Sequence, residues 1–396
     1  MAPVNLLERL GRPPAVAALD GEDAVYVVGG AVRDLLLGRE PHELDFVVEG
    51  DAVAVARRAA ERAGGRVTVH ERFGTATVEA PQAGFDLAAA RRERYERPGA
   101  LPEVELGASL RDDLARRDFT VNAIALHLTD GELVWYPGAE ADLRGRRLRA
   151  LHDRSFLDDP TRLLRLARYA ARLAFEPEAR TDRLAAEAVA GGALDTVSGS
   201  RLGAELRLLL REPQPAALLA LERHGLGREL LRVPFEVRPE LVDRAIALCP
   251  SDARADLVAL AACIGGDRSA IARRLDELAF PAGERQTVAR AADSAGHVAE
   301  VLEDGPLEDV ELWRRLRREL PETVALAGAY SDEAAAAARR WLADVRHRRL
   351  AIDGHDVVAA GLSGPAVGDA LDRAMAAMLE GRAGGREEQL AAALGA

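Results

Sequence analysis

Four short stretches of the sequence contain the residue types that nucleotide chemistry requires. They are GGAVRD at 29–34, ELD at 43–45, RRDFT at 116–120 and DDPTR at 158–162. A glycine turn exposes backbone N–H groups to phosphate, and two carboxylates one residue apart on a strand point the same way and can hold a metal. Each stretch alone is weak evidence, but the ordered set indicates a site that transfers a nucleotide.

The first two stretches describe a phosphate and metal site. Gly29 and Gly30 let the backbone approach a triphosphate, and the N-terminus of the following helix adds a favourable dipole. Glu43 and Asp45 share one strand face, where carboxylates can bridge two Mg²⁺ ions. Asp86, on a later strand, can complete this set. The alternatives are a turn that merely needs glycine and a pair of solvated strand residues.

The two later stretches are rich in arginine. In RRDFT, paired arginines can grip phosphate while Asp118 accepts a sugar hydroxyl, and a charged helix cap is the alternative for Arg116. Asp159 before a proline is typical of a helix start, and Asp159 with Arg162 can read the Watson–Crick edge of a base. Four arginines lie within an arc of about 120° on this helix, for which a solvated basic face is the alternative. They are Arg162, Arg165, Arg168 and Arg172.

The elements that position these residues fall into two classes. Up to about residue 150 the hydrophobic pattern predicts mixed α/β structure, with a helix at 51–63 closed by two glycines and a hairpin turning at 129–131. The predicted strands before that hairpin are 24–28, 44–48, 66–70, 75–79 and 85–88. From Pro160 onward an apolar spacing of three or four predicts helices, with breaks near 191, 212, 265, 281 and 361.

The charge of the chain limits its partners. The formal net charge is −12, which argues against a protein that coats nucleic acid without selectivity. The sequence contains no lysine, which excludes a P-loop lysine and a Schiff-base lysine, so phosphate contacts have to come from arginine. An acidic total with local arginine clusters favours a selective RNA enzyme. Aromatic residues make up 4% and leave little material for stacking bases.

Length and composition indicate size and compartment. At 396 residues the chain can form two to four domains. Its first residues contain no apolar segment of the secretory type, and no apolar stretch is long enough for a span, so we expect no membrane association. Cys249 and Cys263 fit no metal spacing and are expected to be reduced and structural. The cytoplasm is the simplest location, and monomer and homodimer both stay open.

The four stretches closely resemble the class II tRNA nucleotidyltransferases, the family of CCA-adding, CC-adding and A-adding enzymes and bacterial poly(A) polymerases. That family has GGxVRD, DxD ten residues after the arginine, RRDFTxNA and EDxxR, and this chain has RRDFTVNA at 116–123. HERFGTA at 70–76 and RPGALP at 97–102 resemble the A-adding branch. RL at 201–202 and EL at 205–206 match motifs that the family has later in its sequence. The resemblance continues to 353–368 and covers nearly the whole chain.

The resemblance implies a fold and a division into domains. The fold is an α+β nucleotidyltransferase head with a polymerase β-like mixed sheet, followed by an all-α neck, body and tail. We place the head at 1–148, the neck at 149–212, the body at 213–275 and the tail at 276–396.

The resemblance also implies roles for single residues. Gly30, Arg33 and Arg117 bind the triphosphate or sugar, Asp159 and Arg162 act as a protein template for ATP or CTP, and two further arginines contact phosphates. Those two are Arg165 and Arg168. Glu43 stands where the family has its first Asp, which lengthens that ligand by one methylene and puts metal geometry and rate in question. Asp158 replaces the usual Glu.

The implied activity is Mg²⁺-dependent addition of CMP and AMP, or of AMP alone, to the 3′ end of tRNA from CTP and ATP. Asp45 with Glu43 holds the metal in this prediction. The alternatives are a catalytically silent RNA-binding protein and a poly(A) polymerase that acts on general RNA. The helical region is expected to clasp tRNA by shape and backbone contacts, through a basic patch for which a solvated face is the alternative. That patch consists of Arg339, Arg340, Arg346, Arg348 and Arg349.

Overall fold

The computed structural model of the protein describes residues 6–70 and 74–395 and contains two compact units. The first unit runs to Glu212 and includes Arg223–Leu230, and the second contains Pro213–Glu222 and the chain from Leu231 onward. A sheet with helices, followed by a mostly helical remainder, confirms the predicted fold class. The four-part division stays a prediction. Residues 71–73 of HERFGTA, and the first five residues, lie outside the described residues.

A mixed sheet forms the centre of the first unit. Its strands are β1 (Val25–Val28), β2 (Asp45–Val48), β3 (Arg66–His70), β4 (Thr75–Ala80), β5 (Ala83–Ala89), β8 (Ile124–His127) and β9 (Leu133–Trp135). The small pairs are β6 (Arg91–Arg94) with β7 (Glu103–Leu106), and β10 (Arg147–Leu148) with β11 (Glu176–Pro177). The sheet order is β3-β4-β5-β2-β1-β8-β9, in which only β2 and β5 pair in parallel.

Helices build the rest of the described chain. The first ten are α1 (Leu6–Leu10), α2 (Pro14–Ala18), α3 (Gly30–Leu36), α4 (Ala52–Ala63), α5 (Leu110–Ala115), α6 (Ala139–Arg144), α7 (Ser155–Asp158), α8 (Thr161–Leu173), α9 (Ala179–Ala190) and α10 (Gly199–Leu210). The others are α11 (Ala216–Glu222), α12 (Leu226–Leu231), α13 (Pro239–Leu248), α14 (Ala255–Ala261), α15 (Arg268–Glu277), α16 (Ala282–Glu303), α17 (Asp309–Leu316), α18 (Pro321–Gly328), α19 (Asp332–Ala343), α20 (Gly354–Ala359), α21 (Pro365–Leu379) and α22 (Arg386–Leu394). Within residues 6–70 and 74–395, none of these helices has both the length and the apolar character that a membrane crossing requires.

Local sequence signals explain where several elements begin and end. The Asp51 side chain accepts a hydrogen bond from the Ala54 N–H and starts α4, and Gly64 ends that helix in the left-handed conformation, as predicted. Strand β2 begins at Asp45, one residue later than predicted. The β6–β7 hairpin was not predicted, because its first strand reads RRER and contains no apolar alternation.

The two cysteines fit the structural role expected of them. Both are free thiols, Cys263 buried and Cys249 half-buried. Burial raises the pKa of each thiol to about 12, which keeps it protonated and unreactive at neutral pH.

His127 ties the β8–β9 hairpin to the chain before β1. Its Nδ1 lies 2.7 Å from Asp130 Oδ1 and its Nε2 lies 2.6 Å from the Asp23 carbonyl oxygen, so both ring nitrogens donate only in the protonated ring. Burial lowers the pKa of His127, but the bonds to the Asp23 carbonyl and the Asp130 carboxylate outweigh burial and raise it. This pKa is therefore higher in the folded than in the unfolded chain.

We expect the two His127 hydrogen bonds to stabilise the fold less at alkaline pH. A raised folded-state pKa stabilises the fold fully below the unfolded value near 6.5, and the contribution disappears as pH rises through the folded value. Replacing His127 with Gln should therefore cost about 1 kcal/mol at pH 5.5 and less at pH 9. Urea unfolding of both proteins across this range measures the difference. A cost that grows with pH would contradict the assignment.

Candidate active site

Three neighbouring strands bring two carboxylates side by side. Asp45 of β2 pairs in register with Asp86 of β5, and Thr77 of β4 is the register partner of Asp86 on its other side. The Thr77 hydroxyl donates to Asp86 Oδ1 at 2.6 Å and fixes that carboxylate. Because partners in register point to the same face of a sheet, Asp45 and Asp86 share one face. Glu43 lies in the exposed segment before β2 and does not line the cavity that the other two line.

The surroundings of Asp45 disfavour its negative charge. Although the residue is exposed overall, its carboxyl group lies in the cavity wall, and this loss of hydration is the main reason why the pKa of Asp45 is raised. The carboxylates of Glu43 and Asp86 raise the pKa further, while Arg117 and Arg165 lower it. A divalent cation bound here would relieve the repulsion among these carboxylates.

The glycine turn supports an arginine that faces the cavity. Gly29 has φ +69°, and a Cβ there would lie 2.8 Å from Arg117 Nη1, so both backbone conformation and space require glycine. Gly30, the first residue of α3, carries an N–H group without an intrahelical acceptor. Arg117 Nη2 donates to the fully buried Asp113 at 3.0 Å, and Arg117 Nε has no partner within the described chain. The turn therefore allows the close approach of Arg117 and leaves N–H donors at the cavity that can bind an anion.

Arg33, expected to bind the triphosphate or sugar, lies outside the cavity lining. The side chain is buried, 1% exposed, and does not line the cavity. Its Nε donates to Asp34 at 2.8 Å and its Nη1 donates to Asn122 Oδ1 at 2.5 Å. The guanidinium lies behind the glycine turn, 3.5 Å from a Cβ built at Gly30, and supports that turn from inside the protein.

Asp159, just before α8, is held by three donors on one oxygen. The Thr161 N–H, the Thr161 hydroxyl and Arg201 Nη2 donate to Oδ1 at 3.1, 2.7 and 2.8 Å. Oδ2 makes no hydrogen bond or ion pair to any residue that the structure describes. The carboxylate thus has a fixed orientation and one free acceptor oxygen at the cavity.

Arg162 lies on the first turn of α8 and also lines the cavity. Its Nη1 donates to Ser155 Oγ at 2.8 Å and its Nη2 to the Arg116 carbonyl oxygen at 2.7 Å. These bonds use two of the five N–H groups of the guanidinium. The side chain is therefore rigidly placed and still has donors to offer a ligand.

Asp118 is the centre of a buried polar network. The Phe119 N–H and Asn122 Nδ2 donate to Oδ1 at 2.8 and 2.9 Å, and Arg165 Nε donates to Oδ2 at 2.8 Å. Burial opposes the charge, but Arg165 and the Asn122 hydrogen bond overcome it and lower the pKa of Asp118 to about 2. A carboxylate has about four acceptor positions, and Asp118 lines the cavity, so the sugar hydroxyl expected for it stays a prediction.

The arginine stripe on α8 is not a solvated basic face. Tyr169 lies among three guanidinium groups, with the Arg33, Arg165 and Arg168 Cζ atoms 5.2, 5.5 and 5.1 Å from its ring centroid. Arg168 lies 3.6 Å from Glu205 and, unlike Arg162 and Arg165, does not line the cavity. Its phosphate contact stays a prediction.

Ion pairs neutralise most of the basic patch predicted in the tail. Arg346 pairs with Asp252 at 2.6 Å, Arg348 with Asp344 at 2.8 Å and Arg340 with Asp309 at 2.9 Å. Arg349 donates to two backbone carbonyls, and Arg339 is exposed. A tRNA-binding role for this patch stays a prediction, and the contacts favour the solvated-face alternative.

One cavity of about 630 Å³ collects most of the predicted site residues. Gly29, Gly30, Asp45, Asp86, Arg117, Asp118, Asp159, Arg162 and Arg165 line it, and Arg33, Glu43 and Arg168 do not. Residues that carried no sequence signal also line it, among them Thr77, Glu93, Tyr95 and Tyr169. Arg201 and Glu205, which position Asp159 and Arg165, fell in matched motifs without an assigned role.

Comparison with known proteins identifies the family. The family model described as the poly(A) polymerase head domain matches residues 25–149. An A-adding tRNA nucleotidyltransferase of Geobacter sulfurreducens is 44% identical over 251 residues, which are 60% of this chain and 28% of that protein. A multifunctional CCA protein of Xanthomonas campestris pv. campestris is 32% identical over 411 residues, 90% of this chain and 98% of that protein. The chain belongs to the class II tRNA nucleotidyltransferases.

The structure agrees with this membership over its full length. A solved complex of a CCA-adding enzyme with ATP has a TM-score of 0.82 and 26% identity, and the match covers 99% of this chain and 98% of that one. The chain spans only about a quarter of the length of the Geobacter relative but nearly all of the Xanthomonas relative. Its relation to the nucleotidyltransferases thus includes the helical half as well as the head.

Proposed function

We propose that this nucleotidyltransferase adds CMP and AMP, or AMP alone, to the 3′ end of tRNA, using CTP and ATP. The observation that carries the proposal is that the Asp45–Asp86 carboxylates and the Asp159–Arg162 pair line one cavity together with the glycine turn. In the reaction, the RNA 3′ oxygen bonds to the α-phosphorus, the bond to pyrophosphate breaks, and the hydroxyl proton leaves. The relatives named for tRNA nucleotidyl transfer support this substrate, and the cytoplasm is the location we propose.

The carboxylate pair fits Mg²⁺ as cofactor. Mg²⁺ is commonly held by one or two carboxylates together with substrate phosphates and water, without a full protein cage. Asp45 and Asp86 provide such oxygen donors, and the described residues contain no cluster of three or more metal-ligating side chains. When bound, the ion would acidify the 3′ hydroxyl and neutralise charge on the leaving pyrophosphate. We propose Asp45 and Asp86 as ligands, with Glu43 as a more distant contributor.

The cavity offers separate contacts for phosphate and base. Arg117, fixed by Asp113 beside Gly29, is placed to bind the triphosphate. The free Asp159 Oδ2 accepts a hydrogen bond from an exocyclic amino group, and Arg162 donates to the ring nitrogen next to it. Cytosine and adenine both present this donor and acceptor order, whereas uracil and guanine present the reverse. The pair therefore favours CTP and ATP over UTP and GTP.

Product length on defined tRNAs tests the proposal. Transcripts that end before CCA, after CC and after CCA are each incubated with labelled CTP or ATP and Mg²⁺, and the products are resolved on a sequencing gel. Short additions of fixed length support tRNA end synthesis and show how many nucleotides are added. A long ladder on general RNA would instead support poly(A) addition, and no incorporation would support a silent RNA-binding protein.

Replacing Arg162 with Ala should change nucleotide choice more than RNA binding. Loss of its donors to the base should reduce the preference for CTP and ATP over UTP and GTP by roughly tenfold to a hundredfold. The affinity for tRNA should change by less than about threefold. Arg183→Ala, on the exposed face of α9, is the matched control. Full selectivity in the Arg162 variant would show that the base is not read by this residue.

A further inference from the structure

Tyr95 is an aromatic side chain in the cavity wall that the proposed chemistry does not yet use. It follows β6, its ring is half-buried, and its hydroxyl donates to Glu93 Oε2 at 3.1 Å. Asp159 and Arg162 line the same cavity. Tyr95 thus shares a cavity with the two residues that we propose to read the base.

A chain of hydrogen bonds fixes Tyr95 relative to Arg162. Glu93 Oε1 accepts from Arg116 Nη1 at 2.8 Å, and Arg116 Nε donates to the fully buried Asp113 at 2.9 Å. The Arg116 carbonyl oxygen in turn accepts from Arg162 Nη2 at 2.7 Å. One arginine therefore holds both Glu93, which binds the tyrosine, and Arg162. Arg116 thus positions both residues, while the phosphate contact expected of it stays a prediction.

The other rings that line the cavity are not free to contact a base. Phe46 is 1% exposed in the core of the sheet. Tyr169 is buried among three guanidinium groups and packs edge-on against Phe119 at 6.0 Å. His70 of β3 pairs in register with Thr75 of β4, and β4 also carries Thr77, the partner of Asp86. His70 therefore lies on the carboxylate side of the cavity. Among the described cavity residues, this leaves the Tyr95 ring beside the base-reading pair.

We propose that Tyr95 is the stacking surface for the base of the bound nucleotide. Every base has a π-face, so one ring can serve both cytosine and adenine while Asp159 and Arg162 choose between edges. The Glu93 bond holds the ring in place before the nucleotide arrives, which reduces the entropy lost on binding. This inference rests on the proposed function, because it assumes that a nucleoside triphosphate occupies the cavity.

Binding of ATP, CTP and inorganic tripolyphosphate to the full chain tests the inference by calorimetry with Mg²⁺ and without tRNA. Tyr95→Leu keeps an apolar side chain but removes the ring, so its Kd for ATP and CTP should rise about tenfold. Its Kd for tripolyphosphate, which has no base, should stay within about twofold of wild type. Tyr95→Phe keeps the ring and loses only the Glu93 bond, so it should bind ATP within about threefold of wild type.

The controls separate this inference from the proposed function. Tyr330→Leu removes a half-exposed ring from the second unit and should bind all three ligands like wild type. If Tyr95→Leu binds ATP and CTP like wild type, or weakens tripolyphosphate equally, the stacking role is wrong while the proposed function stands. If wild type itself binds neither ATP nor CTP, the proposed function fails and this inference fails with it.

Discussion

Replacing Asp45 with Asn should lower the rate of nucleotide incorporation into tRNA by roughly a thousandfold. Asparagine has nearly the same size, so the change removes a charge without opening a cavity. Asp86 would then be the remaining carboxylate of the pair, with one of its oxygens already bound by Thr77. Single-turnover incorporation of labelled ATP at saturating tRNA measures the effect on the chemical step directly.

Two further variants make this result specific. Asp20→Asn removes a half-exposed carboxylate that pairs with an exposed arginine, and it should keep wild-type activity. Glu43→Gln should cost about tenfold or less, because Glu43 lies before β2 and outside the cavity lining. Equal losses for Glu43→Gln and Asp45→Asn would make Glu43 a direct ligand. Unchanged activity in Asp45→Asn would refute the metal site.

Features set by neighbouring residues could be predicted from the sequence. Asp51 and Gly64 enclose α4 because capping is decided within one helical turn. The glycine turn at 29–30 was predicted for the same reason. The overall α+β head and helical remainder followed from hydrophobic periodicity, which reports which face of each element is buried.

Features set by long-range contacts could not be predicted in this way. The family resemblance assigned Arg33 to the triphosphate or sugar and Arg168 to phosphate. In the fold, the Arg33 guanidinium donates hydrogen bonds to Asp34 and Asn122. The Arg168 guanidinium lies beside Glu205 and over the Tyr169 ring. Asn122 and Glu205 come from distant segments of the chain, which no local pattern reveals. Tyr95 was overlooked because its partner Glu93 is held in place by Arg116, which lies on a separate element.

The Asp118–Arg165 pair, with a buried carboxylate and a half-buried guanidinium, should be among the most sensitive points of the first unit. Asp118→Asn leaves the Arg165 guanidinium with Glu205, 3.3 Å away, as its remaining charged partner. Breaking a fully buried pair typically costs 3–5 kcal/mol, so this pair should cost about 3 kcal/mol, roughly 10 °C in Tm. The folded-state pKa of about 2 lies below the unfolded value near 3.9. The stability advantage of wild type should therefore be complete above about pH 5 and should disappear as pH falls towards 2. Thermal unfolding across this range measures it.

A double variant distinguishes the ion pair from general disruption. Arg165→Met removes the half-buried cation, so Asp118→Asn combined with Arg165→Met should be more stable than Asp118→Asn alone. Both residues line the cavity, so the double variant should regain stability without regaining incorporation activity. If the two single losses simply add, the carboxylate and guanidinium act independently. The network around Asp118 would then stabilise the fold through Asn122 and the Phe119 N–H instead of through charge.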